Sequence, residues 1–284
     1  MTKVENKYGH GARLDNTVRY YYRKLSKPKL GRSSVPFNWD VGCDLEDKIT
    51  LTRRNQGSSY SCGGQAGAYF IEHKTKENIS AKSIYSLIFH PDGGATVNAV
   101  ETQISANGAN LETDVPSYEN GDTPSERFIT DKSWFSTWFK DDASKRSGYI
   151  PVRIPHTMDA MAEAIRDLGG IICILAGQNN GTWHSTFPQI PSKENKSEIW
   201  YHFLFFKGAK MINGKKYLMA INSWGKEVGD NGVQYFGEDY MTGKYLIHAT
   251  SFRWYERIKP LESNKSIWAE IWRYFERTLK FATQ

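Results

Sequence analysis

The chain has 284 residues, 39% of them hydrophobic and 14% aromatic, which is enough for one large domain or two small ones with a sizeable core. That composition excludes disorder along the whole length. The formal net charge of +6 is spread over intermingled acids and bases with no dense basic block, which argues for a mildly basic solvated surface and against nucleic-acid binding.

Residues 1–35 are polar and basic, end in KLSKPKLGRSS, and read as an extended arm or linker. The N-terminal stretch has no apolar run and therefore no signal peptide is expected. No stretch of the chain approaches the roughly 20 apolar residues that span a bilayer. From Pro36 the pattern tightens. ITLTRR alternates as a strand does and leads into the glycine- and serine-rich turn NQGSSYSCGGQAG, Asn55 to Gly67. A helix is expected over GGQAGAYFIEHKTKEN; three glycines in its first turns cost about 1 kcal/mol each relative to alanine. Close approach of a second backbone would compensate for them, so this helix should be buried. Ser80 starts a second helix, SAKSIYSLIFH, and GATVNAVETQISANG reads as a third that stops at Gly108. Glu119 to Arg146 reads as loop plus a short helix, with a Trp134–Phe139 aromatic cluster.

The second half changes character. TMDAMAEAIRDLGG has Thr157 as helix N-cap and Gly169 and Gly170 as stops. Short strand-like runs follow: IICILAG, YHFLFFKGAK, KYLMAINSWG, GVQYF and KYLIHATSF, several separated by Asn-Gly or Gly-Asp turns. Helices in the first half and antiparallel strands in the second predict an α+β fold with two lobes. The last residues, SNKSIWAEIWRYFERTLKFATQ, carry an apolar stripe of Ile267, Trp268, Ile271, Trp272, Phe275 and Leu279. This amphipathic helix is expected to dock on the protein itself, with self-association or an assembly partner as the alternative; mixed charges on its polar face argue against a membrane surface.

Three sparse cysteines, Cys43, Cys62 and Cys173, argue against a disulfide framework and for a reducing compartment, hence the cytosol or a particle assembled there. Cys173 in IICIL reads as a core residue. Cys62 sits where a helix should begin, and helix dipole and free N–H groups stabilise a thiolate there. His202 opens a strand 140 residues later, and Asn222 and Trp224 lie in INSWG about twenty residues on. An amide can accept the second N–H of an imidazole and orient the ring without adding charge. The order Cys, His, Asn at this separation falls in the range of papain-type peptidases. No Cys/His or carboxylate cluster has metal-ligand spacing, no phosphate-cradling glycine loop is present, and no cofactor is expected.

These segments together resemble the papain-like cysteine peptidases, over about residues 36–258 and in the family's order. Gln56, six residues before Cys62, matches the oxyanion glutamine. GGATVNAV resembles the substrate-binding glycine pair, giving Gly93 and Gly94; YHFLFF and INSWG resemble the histidine and asparagine segments. The resemblance implies a helical lobe over about 36–148 and a β lobe over about 149–258 with the site in the cleft between lobes; the arm over 1–35 and the C-terminal helix over 259–284 flank it. It also implies roles: Cys62 as nucleophile, His202 as its base and acid, Asn222 orienting His202 under the shield of Trp224, and Gln56 with the Cys62 N–H as oxyanion hole, all acting on peptide or protein substrates. Ser59 and Tyr60 stand where the family has a disulfide cysteine and a glycine, and Gly63 where it has an aromatic residue. Tyr60 would narrow or cap the substrate site. Two other readings remain: a papain-fold scaffold in a larger assembly such as a phage or virus particle, and amide chemistry other than peptide hydrolysis.

Overall fold

The computed structural model describes residues 11–14, 35–47, 49–119, 121, 123–179, 181–192 and 199–254. The chain divides into two units, Met1–Trp254 and Tyr255–Gln284. The expected C-terminal helix lies outside the described residues, as does most of the arm.

The first half is built of helices. Ala12–Arg13 forms a short strand, β1, and Cys43–Asp44 another, β2, before the 3₁₀ turn Leu45–Asp47. The central helix α1, Cys62–Thr75, is buried from Cys62 to His73. Its glycines permit that burial: a Cβ on Gly64 would lie 2.6 Å from the Cβ of Tyr85 and 2.9 Å from the carbonyl oxygen of Ala81. Helix α2, Ala81–Ile88, is capped by Ser80, whose hydroxyl accepts from the Ser83 N–H. A two-residue strand β3, Ala95–Thr96, leads into α3, Val97–Thr102, which continues as a π-helix over Gln103–Asn107 and stops at Gly108. The charged aromatic segment holds two short helices, α4 (Glu126–Thr130) and α5 (Thr137–Ser144).

The second half is an antiparallel sheet. Its strands are β4 (Tyr149–Arg153), β5 (Ile171–Gln178), β6 (Ile199–Ile212), β7 (Lys215–Ile221), β8 (Val233–Gly237) and β9 (Leu246–Trp254), in the order β4-β9-β5-β6-β7-β8, with β2 also paired to β6. Helix α6, Met158–Leu168, starts on the Thr157 cap and ends at Gly169 in the left-handed region, φ 74°. The β6–β7 hairpin turns on Asn213 and Gly214, both at positive φ, so Ile212 pairs with Lys215. A four-residue helix α7, Glu238–Met241, follows β8. One apolar core joins the halves: Phe70 of α1 packs on Tyr149 of β4 and Phe252 of β9, and Tyr69 stacks on Phe205 of β6.

Two expectations need correction. ITLTRR is not a strand; Asn55↔Trp224 is an isolated bridge at its end. Side chains take its N–H groups instead: Glu46 accepts from Leu51, Glu72 from Thr52, the Tyr69 hydroxyl from Arg54 and the Tyr118 hydroxyl from Asn55. The arm is not wholly a linker either, because Ala12 and Arg13 pair in parallel with Ala95 and Thr96.

Candidate active site

Cys62 is the first residue of α1 and is fully buried, and β6 runs past the same end of the helix. The backbone N–H groups of Phe203, the residue after His202, of Gly11 and of Gly63 lie near enough to Cys62 to favour its thiolate. A larger residue at 63 would not fit: a Cβ there already meets Val100 at 3.0 Å and both Ala95 and Phe203 at 3.4 Å.

His202 is also fully buried, and its Nε2 lies 3.0 Å from Asn222 Oδ1. Trp224 covers this pair, with ring centroids 4.7 Å apart, and Trp183 and Trp200 stand edge-on to the imidazole at 6.2 and 6.4 Å. Trp224 is thus a wall behind the histidine, 1% exposed, and not an open contact surface. Such a dry cage strengthens the His202–Asn222 hydrogen bond.

Gln56 is brought to the same place. Its N–H donates to the Ser223 carbonyl, its Oε1 accepts from the Ser223 hydroxyl at 2.6 Å, and its Nε2 donates to the Ser59 carbonyl at 2.7 Å. Ser59 and Ser61 share a hydrogen bond of 2.8 Å, and Gln65 Nε2 donates to Ser61. A hydroxyl chain therefore braces the loop before Cys62. Among the described residues all three cysteines are free. Cys43 is half-buried and Cys173 fully buried, and burial pushes both thiols up, Cys43 to about 11.

The strap formed by residues 11–14 crosses this site. The Gly11 carbonyl accepts from the Ala95 N–H at 2.8 Å, and the Arg13 guanidinium reaches the Gly93 carbonyl at 3.2 Å and Asp92 at 3.6 Å. Gly11 sits so close to Tyr60 that a Cβ on it would fall 1.7 Å from the Tyr60 carbonyl oxygen. Burial pushes the Cys62 thiol up to about 12, against the pull of the N–H groups of Phe203, Gly11 and Gly63.

Of the glycine pair, Gly93 lies under the Tyr60 ring, where a Cβ would meet the ring at 2.7 Å. The N–H of Gly94 donates to the Tyr85 hydroxyl and its carbonyl accepts from His90, so Ala95 is the residue that offers its edge to the strap. Sequence reading missed Ala95, Ser223, Gln234 and the strap. Ser223 had a signal in its place within INSWG; a buried Gln234 in GVQYF had none. No group of His, Cys, Asp or Glu among the described residues could hold a metal ion, and no helix among them is long and apolar enough to cross a membrane.

Comparison with solved structures gives the same architecture. Xylellain, a cysteine protease from Xylella fastidiosa, matches with a TM-score of 0.63 at 17% identity, covering 87% of this chain and 94% of that one. Digestive procathepsin L2 proteinase from Tenebrio molitor matches at 0.66 and 18%, covering 89% and 80%, and procathepsin B from Trypanosoma congolense at 0.62 and 15%, covering 89% and 88%. No protein-family model and no curated protein matches the sequence. The chain has the two-lobed papain-like cysteine-peptidase fold, in a divergent sequence.

Proposed function

We propose that this chain is a cysteine-type peptidase with Cys62 as nucleophile, held latent by its own strap. The observation that carries the reading is the grouping of Cys62 at a helix N-terminus, packed where Phe203 of β6 meets Gly63, with the neighbouring His202 bonded to Asn222 inside a tryptophan cage. In the open state the Cys62 proton passes to His202 and the sulfur attacks the peptide carbonyl carbon. The oxyanion is met by the Cys62 N–H and the Gln56 amide; such donors contribute about 2.7–4 kcal/mol each to transition-state stabilisation. The C–N bond breaks as His202 returns the proton to the leaving amine, and water then hydrolyses the thioester. Asn222 keeps the imidazole in place throughout.

The strap resists this chemistry. It occupies the Ala95 edge, where the Gly11 carbonyl accepts from the Ala95 N–H, and lies beside Cys62. Proforms among the structural neighbours are in keeping with a latent state. Full burial of Cys62 also favours a second reading, a papain-fold scaffold with weak or no activity.

Intact mass after incubation with an epoxysuccinyl peptide separates the two. A peptidase gains one adduct, absent in Cys62→Ala and at least tenfold slower in His202→Ala, since an imidazole partner is what generates the thiolate. A reduced, folded protein that gains none under any condition that frees the strap is a scaffold.

A further inference from the structure

Gln234 stands in the middle of β8, fully buried, and every polar atom of its side chain is used. Its Nε2 donates to two backbone carbonyls, Trp183 at 2.7 Å and Ser185 at 3.0 Å. Backbone carbonyls only accept, so the Gln234 amide has one orientation: nitrogen toward the 183–185 turn, oxygen toward Asn222. Its Oε1 accepts from Asn222 Nδ2 at 2.8 Å. That leaves Asn222 with one orientation too, its oxygen toward His202. An oxygen at 3.0 Å from His202 Nε2 requires the proton on Nε2 and leaves the Nδ1 lone pair to take a proton from elsewhere.

We propose that Gln234 is a positioning residue that fixes the tautomer of His202. The order is set outward from the backbone: two carbonyls orient Gln234, Gln234 orients Asn222, and Asn222 selects the imidazole tautomer. Without this relay the Asn222 amide could turn over and present its NH₂ to Nε2, which would place the ring proton on Nδ1. The inference rests on the proposed reaction for its consequence, because only an imidazole with the lone pair on Nδ1 serves Cys62, but not for its physical content.

The test uses the full chain and reads the tautomer directly, from the imidazole nitrogen shifts of His202 in ¹⁵N-histidine-labelled protein. Wild type is expected to show the Nε2–H form alone. Gln234→Met, close in volume, should show a mixture or the Nδ1–H form. Labelling of Cys62 by the epoxysuccinyl peptide should fall at least ~10-fold, a fraction of what a wholly wrong tautomer costs a triad. A second pair of variants guards against a packing defect. Asn222→Asp alone puts a carboxylate against Gln234 Oε1, acceptor against acceptor, whereas Gln234→Met relieves that clash. The double variant should therefore label faster than Asn222→Asp, although it carries one more substitution in the core. An unchanged Nε2–H spectrum in Gln234→Met, or a double variant slower than both singles, overturns the proposal. A wild type with the expected tautomer, shifted by Gln234→Met, but with no labelling under any condition, sustains the relay and removes the peptidase reading instead.

Discussion

Burial and the neighbouring His248 push the His156 imidazole down to about 4, against an ordinary value near 6.5. A base whose folded value is depressed stays neutral in the native state while the unfolded chain takes up a proton. Stability contributed this way is present above 6.5 and is lost as pH falls toward 4. Partial exposure of the ring limits the loss to about 1–2 kcal/mol. Urea denaturation at pH 7.5 and 4.5 should show it, and His156→Gln should remove most of the difference; an equal loss in the variant would assign the acid sensitivity to other groups. At the same scale Cys62 shows what a sequence can and cannot say. The turn NQGSSYSCGG marks a thiol at a helix start, which taken alone should lower its pKa. Burial reverses the sign, and nothing local to Cys62 announces the distant segments, Phe203 and Gly11 among them, that gather around it.

Between elements, one carboxylate joins Tyr60 to the segment that carries Gly94. Glu126, at the start of α4, accepts from the Tyr60 N–H and from the Tyr85 hydroxyl, both at 2.7 Å, and that hydroxyl in turn accepts from the Gly94 N–H at 2.9 Å. Burial and the adjacent Glu126 keep Tyr85 a protonated phenol, pushing its pKa far up, so it remains a donor at any working pH. Tyr85→Phe deletes one oxygen, removes its bonds to Glu126 and to Gly94, and leaves the Tyr60 N–H on Glu126. With a peptide substrate the expected result is a KM raised about fivefold to tenfold, as the Gly94 N–H loses its acceptor, with kcat within about twofold. Steady-state kinetics decide it; an equal fall in kcat with KM unchanged would place Tyr85 in the chemical step instead. Elements like these were legible where one residue sets one boundary. Ser80 and Thr157 as caps, Gly108 and Gly169 as stops, and Asn213–Gly214 as a hairpin all act through their own backbone and side chain. ITLTRR was misleading because alternation describes which side chains face inward, whereas strand pairing depends on where the N–H groups go. The nearby Glu46 and the more distant Glu72, Tyr69 and Tyr118 took those groups. Strand β4 carries a proline, Pro151, and too little alternation to stand out, and its place at the sheet edge is where proline is tolerated.

For the molecule as a whole, whether the site is open or covered turns on Gly11. Glycine is needed there for space, because any Cβ would fall 1.7 Å from the Tyr60 carbonyl oxygen, on backbone that cannot rotate away. Gly11→Ala should therefore expel the strap without touching Cys62, His202 or Gln56. The strap is short, pairing two residues with β3, so its loss should lower the thermal midpoint little, at about 2–4 °C per kcal/mol for a domain of this order of size. The thiol reports the change. Covered, Cys62 titrates at about 12, above its ordinary 9.0, so covering is favoured below the ordinary value and disfavoured as pH rises past it. Alkylation of the full chain by iodoacetamide should be slow at pH 7.5 and climb steeply between about 9 and 12. In Gly11→Ala the whole profile should move to lower pH, with labelling at pH 7.5 faster by at least ~10-fold, and deletion of residues 1–14 should reproduce it. Full-chain and Gly11→Ala profiles that superimpose would mean that the strap does not limit access to Cys62. A shift with iodoacetamide but no adduct with the epoxysuccinyl peptide would mean an uncovered thiol in a site that binds no peptide. Only faster labelling by both reagents joins the covered cysteine, the strap and the Ala95 edge into one latent peptidase.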